Sequence, residues 1–330
     1  MTTVVRPVAG RASAHRSSPG RFPGRSGPPA IPSAPRATGH RVGRGFAPGY
    51  HGELVSGVFA TPGGTPRIGV LRLPWPEQGA AAEFAPHPGA QLYVRAASAA
   101  AAPARQAAET ALGGIRAPWS GGRLTVHTEA EAPVWPVAPA VVRAVADAWG
   151  LCPGAAELAT AVSEVDAPPG AARGGTGLVD AVDGSLIEAF EADLPPLLVL
   201  GFDPGDVPSG PGLDPDDASL ADLAAGRRLR GLLRRAAVGR DAALFAAAAT
   251  ESTLLLGTHR PRPLAGHLAA ALASCGALGL QSDRGTSLLG LLFPPDAPGL
   301  ADRLARARTL LAGLGIHQVW QFTTTARRAG

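Results

Sequence analysis

The chain has 330 residues, 45% of them hydrophobic, which is enough to build the core of one large or two medium domains and excludes a wholly disordered or fibrous protein. All 30 basic residues are arginine, a compositional bias rather than a sign of arginine chemistry, and the 43 glycines and 33 prolines call for much loop. The formal net charge of +4 is carried by one end: residues 1–45 hold eight arginines and no acid, while the rest has 22 arginines against 26 acids, a balance of −4 that argues against a nucleic-acid-binding body.

Residues 1–45 are rich in Pro, Gly, Ser, Ala and Arg and cannot bury enough apolar surface to offset their ordering entropy, so a disordered tail is expected. Its start, Met1–Gly10, has no apolar run of the signal-peptide kind, and its prolines and glycines break the amphipathic helix that a transit peptide needs. From Phe46 the texture becomes alternating strand and helix. Strand character falls at Val55–Ala60, Ile68–Leu73, Gln91–Val94 and Leu124–His127, with a helix-prone stretch at Ala97–Leu112 apart from Pro103. Pro139–Trp149 has helical spacing and stops at Gly150, and Glu157–Val165 repeats the pattern. Val182–Gly184 between two apolar runs predicts a hairpin, and the unbroken apolar Leu197–Phe202 predicts a buried strand. Helices follow at Ser219–Arg240, Ala242–Leu256 and Leu264–Ala273. Then come a strand–turn–strand unit over Ala277–Gln281 and Ser287–Phe293, a helix at Gly299–Leu314 and a last strand at Gln318–Thr323. Strands and helices mixed without strict alternation predict an α+β protein, with helices packed on mostly antiparallel sheet.

Several features carry less chemistry than they first suggest. The stretch Pro263–Ser282, free of Asp, Glu and Arg, is long enough to span a membrane but too poor in strongly apolar residues, and is read as a buried helix running into a strand. Arg227, Arg228, Arg230, Arg234, Arg235 and Arg240 read as a solvated helix face in preference to a nucleic-acid face, given the acids just upstream. Cys152 and Cys275 stand 123 residues apart without a CxxC spacing, which argues against a disulfide framework or metal site and fits free thiols in a reducing cytoplasm. The eight histidines have neither metal spacing nor a serine elbow nearby.

Three segments do carry a signal. The first is Ala47-Pro-Gly-Tyr-His-Gly-Glu-Leu-Val-Ser-Gly57, in which Pro48–Gly49 and Gly52 permit a tight turn and present Glu53 at the mouth of a strand. The second is the hairpin Gly177–Phe190 with the strand Leu194–Gly205, and the third is the glycine turn within Cys275–Phe293. In order and spacing these resemble the motifs of the GHMP-superfamily small-molecule kinases over about residues 46–323, and the Gly-Glu-Leu-x-x-Gly form of the first is similar to the L-threonine kinase branch. The resemblance implies a two-lobed fold, with residues 46–190 and 191–330 as its lobes. It implies ATP with Mg²⁺ as cofactors, a small threonine-like substrate, no membrane and a cytoplasmic location. It assigns Pro48, Gly49, Gly52 and Gly57 to the substrate side, Glu53 to magnesium or substrate positioning, Asp166 to the base, and Arg284, Gly285 and Thr286 to the phosphates.

The motifs depart from the family pattern in three places. The stretch His127–Pro139, ahead of the Pro139–Trp149 helix, lacks the glycines and serines of a phosphate loop and holds three prolines and two acids. Proline removes the N–H donors that a phosphate needs, and Glu129 and Glu131 repel it. At Glu164–Gly170 a proline, Pro169, stands where the family places an aspartate, and Asp166 is off register. Ser282-Asp-Arg-Gly285 replaces a His-Ser-Gly type of turn; Arg284 suits a phosphate oxygen, Asp283 opposes it, and a plain solvent-exposed turn is the alternative. Three readings therefore stand: an active or impaired kinase, a catalytically dead relative that senses a small molecule or serves a protein partner, and, least favoured, a nucleic-acid-associated protein using the basic tail.

Overall fold

The computed structural model describes residues 41–325, apart from 62, 116, 118, 129–136, 153–176, 191–193 and 206–211. The helix expected at Glu157–Val165, Asp166, and most of the stretch read as a degenerate phosphate loop lie outside the described residues.

Two long strands form the spine of the first sheet. β1 (Gly43–Ala60) and β2 (Pro66–His87) pair antiparallel along their whole length. On its other side β2 pairs with β4 (Gly121–Thr128) over its second half and with β5 (Gly177–Asp180) over its first. β3 (Leu92–Arg95) joins β4 in parallel, and β6 (Leu186–Ala189) joins β5, giving the order β3-β4-β2-β5-β6 with β1 along β2. The hairpin expected at Val182–Gly184 is the β5–β6 turn. Asp180 ties it down by accepting from the Val182 and Asp183 backbone N–H groups while it pairs with Arg67 at 2.9 Å.

The second sheet is antiparallel, in the order β10-β7-β9-β8: β7 (Leu198–Phe202), β8 (Gly279–Ser282), β9 (Leu289–Phe293) and β10 (Val319–Thr323). Both of its faces are covered, which is why β7 and β9 are apolar without alternation. Val199, Leu292 and Phe322 pack with β1 residues such as Leu54, Val55 and Phe59 and with α3 (Leu220–Gly239) and α4 (Ala242–His259). Leu200, Phe202, Leu291 and Phe293 pack instead under α5 (Pro263–Cys275) and α6 (Leu300–Gly313). The first sheet carries α1 (Ser98–Gly114) and α2 (Val137–Ala148) over Phe84, Leu124 and Val126. The mixed α+β architecture expected from the sequence is the one found.

Local differences from the sequence reading have physical causes. β1 begins at Gly43, inside the stretch read as tail, because Gly43 and Gly45 have no side chain to keep the α2 backbone away. β2 runs far beyond Ile68–Leu73, through Pro74 and Pro76. Against the consecutive Pro48 and Gly49 its register jumps from Gly79 to Trp75, so Pro76–Gln78 bulge out and the missing proline N–H costs no ladder bond there. The Pro263–Ser282 stretch is helix followed by strand, as expected, and among the described residues no helix is long and apolar enough to cross a membrane. In α3, Arg228 pairs with Glu251 while Arg230 and Arg234 both pair with Glu188, so three of its arginines are spent within the chain.

Candidate functional site

Residues 48–53 form no tight turn, contrary to the sequence reading; they continue β1 as a bulged strand. Tyr50 pairs with Pro74 and Glu53 with Arg72, so His51 and Gly52 together face Leu73 alone. Gly52 has a φ of +86°, the left-handed conformation that favours glycine, and this allows the extra residue. A Cβ on Gly52 would stand 2.7 Å from the Cβ of Asp283, so the absence of a side chain also brings the turn after β8 directly against β1. The Ser282–Gly285 turn is therefore not an exposed tip: Ser282 and Asp283 are buried, and only Gly285 is open to solvent.

This packing brings Glu53 and Arg284 together, with Arg284 Nε 3.6 Å from Glu53 Oε1, an ion-pair distance too long for a hydrogen bond. Glu53 Oε2 and Arg284 Nε are both buried and without a hydrogen-bond partner among the described residues. Burial pushes the Glu53 carboxyl up to about 7 against the pull of Arg284, and the neighbouring Asp283 pushes the same way. Arg262, just ahead of α5, supports the turn from beneath by donating to the backbone oxygens of Asp283 at 2.7 Å and Thr286 at 3.1 Å. Burial lowers the Arg262 pKa while Asp283 and Glu53 favour its charged form. Arg72 reaches Glu53 from β2 and lies 5.2 Å from the centroid of the Tyr50 ring. The Tyr50 phenol is pushed up by burial, opposed by Arg72 and Arg143. Three arginines thus converge on two carboxylates, one of them only half ionised near neutral pH. The surplus is positive.

Of the residues singled out by sequence, Glu53, Gly52, Arg284 and Thr286 meet in this site. Pro48 is exposed on β1, Gly49 faces Trp75 across the strand pair, and Gly57 packs against Leu229 and Phe59 in the core beneath α3. Arg72, Arg262, Tyr50 and His51 were not singled out. Arg262 sits in a short Arg-Pro-Arg-Pro run, a local signal that could have marked it. Among the described residues no group of three His, Cys, Asp or Glu side chains is placed to hold a metal ion.

No protein-family model matches the chain, and no curated protein matches it by sequence. Solved structures do. Homoserine kinase from Cytophaga hutchinsonii is similar at 12% identity over 88% of this chain and 96% of that one, with a TM-score of 0.56. Phosphomevalonate kinase from Streptococcus pneumoniae is similar at 13% identity over 86% and 97%, with a TM-score of 0.56. Mevalonate-3-kinase from Thermoplasma acidophilum, solved with mevalonate bound, is similar at 10% identity over 86% and 96%, with a TM-score of 0.55. The fold is GHMP-kinase-like.

Proposed function

We propose that this chain is a GHMP-type small-molecule kinase with weakened phosphoryl transfer, nearest the L-threonine kinase branch and acting in the cytoplasm, with residues 46–190 and 191–330 as its lobes. Its substrate is the hydroxyl of threonine or a similar small amino acid, and its cofactors are ATP and Mg²⁺. The observation that carries the reading is the contact of Glu53, from the first motif, with Arg284, from the third, across a fold that neighbours of this kind use for phosphoryl transfer.

The residues present fit an anionic group. Arg284 Nε is buried without a hydrogen bond, Arg262 is half-buried beside it, and together with Arg72 they outnumber the carboxylates Glu53 and Asp283. When bound, ATP with Mg²⁺ would supply the phosphoryl group. Arg284 and Arg262 orient the anion, with Gly285 and Thr286 beside it. Glu53, with a pKa near 7, takes the proton of the substrate hydroxyl at Oε2. The weakness is read from the sequence ahead of α2, where Pro133 and Pro136 carry no N–H and Glu129 and Glu131 repel a triphosphate.

A second reading, a non-catalytic sensor or partner subunit, is favoured by one observation. Asp283 is buried in the turn that would face the phosphates, where its charge opposes them. Calorimetric titration with Mg-ATP, followed by a transfer assay over threonine, serine and homoserine, separates the readings. We expect binding in the micromolar to millimolar range, kept in Glu53→Ala while transfer is lost, with wild-type turnover well below the roughly 1–100 s⁻¹ of efficient kinases. Binding with no transfer to any of the three favours the sensor, and no binding at millimolar ATP removes the kinase reading.

A further inference from the structure

One register row runs straight across the second sheet: Trp320 opposite Gly201, Gly201 opposite Gly290, and Gly290 opposite Gln281. The two central positions are glycines, so the row has walls but a bare floor. The imidazole of His51, from the β1 bulge, fills it. A Cβ on Gly201 would overlap both His51 Nε2 and Trp320 Nε1; one on Gly290 would stand 2.9 Å from Gln281 Oε1 and 3.4 Å from His51 Cε1. Trp75, Trp320 and Phe322 close around the ring, with centroids 5.2 to 5.6 Å away, and His51 is fully buried.

The hydrogen bonds fix more than the position. Gln281 Nε2 donates to the backbone oxygen of His51 at 3.1 Å, which orients the amide so that its Oε1 faces His51 Nδ1, also at 3.1 Å. An amide oxygen only accepts, so Nδ1 carries the proton and Nε2 is left as a lone pair. The Trp320 indole N–H shares the space above Gly201 with that lone pair, and neither atom has a hydrogen-bond partner among the described residues. Gln281 thus clasps His51 by side chain and backbone together.

We infer that His51 is a positioning residue of this site: its imidazole, in the Nδ1–H tautomer, pins the β1 bulge to the glycine floor of the second sheet and so aims Glu53 at the Asp283–Arg284 turn. A bulge opposite a single residue has no register of its own, and a slip of one position would turn Glu53 to the other face of the strand. His51 precedes the flexible Gly52 directly, so anchoring it fixes where the next side chain emerges. The inference rests on reading Glu53 as a residue of the ligand site.

The test uses the full chain in three parts. Long-range ¹H–¹⁵N spectra of histidine-labelled protein, with His51 assigned from its loss in His51→Asn, report the tautomer. Hydrogen exchange over residues 50–56 reports the bulge, with Mg-ATP affinity measured on the same samples. We expect the Nδ1–H tautomer in the wild type. We also expect exchange at 50–56 to quicken at least about tenfold in His51→Leu and Gln281→Met, with the rest of the chain unchanged. His51→Asn, which keeps a donor at the Nδ1 position, should restore slow exchange and any Mg-ATP affinity that His51→Leu loses. An Nε2–H tautomer, or unchanged exchange in Gln281→Met, overturns the inference, and either can be read if His51→Leu does not fold. Failure of wild-type protein to bind Mg-ATP sinks the kinase reading alone, because tautomer and exchange are measured without nucleotide.

Discussion

Glu53 and His51 stand two residues apart on β1, and burial moves them in opposite senses. It raises the Glu53 carboxyl from 4.5 to about 7, with Arg284, Arg72 and Asp283 facing it, and lowers the His51 imidazole from 6.5 to about 4, with Gln281 facing it. For Glu53, folding favours the protonated form, so its contribution is fully present below pH 4.5 and is lost as pH rises through about 7. For His51, folding favours the neutral form, so its contribution is present above pH 6.5 and is lost as pH falls through about 4. Each effect is on the order of 3 kcal/mol, and over this window they oppose each other. Denaturant titrations of Glu53→Gln should therefore reveal a fall in stability on acidification from pH 7 to 4.5 that the wild type masks. His51→Asn should show a rise over the same range. If both variants track the wild type, these two groups do not carry the linkage. Arg262→Gln should weaken Mg-ATP binding by about tenfold or more, since it removes a charge and frees the carbonyls that shape the 283–286 turn.

Secondary elements supply a different kind of evidence. Gly226 lies inside α3, where replacing glycine by alanine ordinarily stabilises a helix by about 1 kcal/mol. Here a Cβ would overlap the Val58 carbonyl oxygen of β1, so Gly226→Ala should instead destabilise by at least about 2 kcal/mol. Ser219 at the start of the same helix forms a capping box with Asp222, and Ser219→Ala should cost about 1 kcal/mol in urea denaturation. The first sign follows from where α3 packs, the second from local capping at its start. The capping box is legible in sequence as Ser219 followed three residues later by an acid; the clash at Gly226 is not, because no local pattern says which helix face meets β1. The same limit explains β1 and β2. The apolar run of β7 announced a buried strand and that of β9 a strand, whereas Pro48, Gly49 and Gly52 read as turn residues and are tolerated, with Pro74 and Pro76 opposite, because the register of the pair jumps around them.

For the whole molecule, charge and topology part company. Deleting residues 1–40 removes six arginines and leaves a body with no excess of basic residues, while β1 begins only at Gly43. Any DNA binding by the full chain should then be weak, steeply salt-dependent and absent from the deleted form, with the melting temperature unchanged. Binding that survives the deletion would revive the Arg227–Arg240 face, three of whose arginines are already paired to glutamates. By itself the sequence determined the α+β class, most of the elements and the likeness of three segments to the GHMP kinases. Those are properties of local periodicity, turn chemistry and short motifs. The tertiary structure alone decided that Gly52 admits Asp283, that Glu53 meets Arg284 and Arg72, and that His51 fills the floor left by Gly201 and Gly290. These partners lie far apart in the chain, and only strand register and sheet packing bring them within reach.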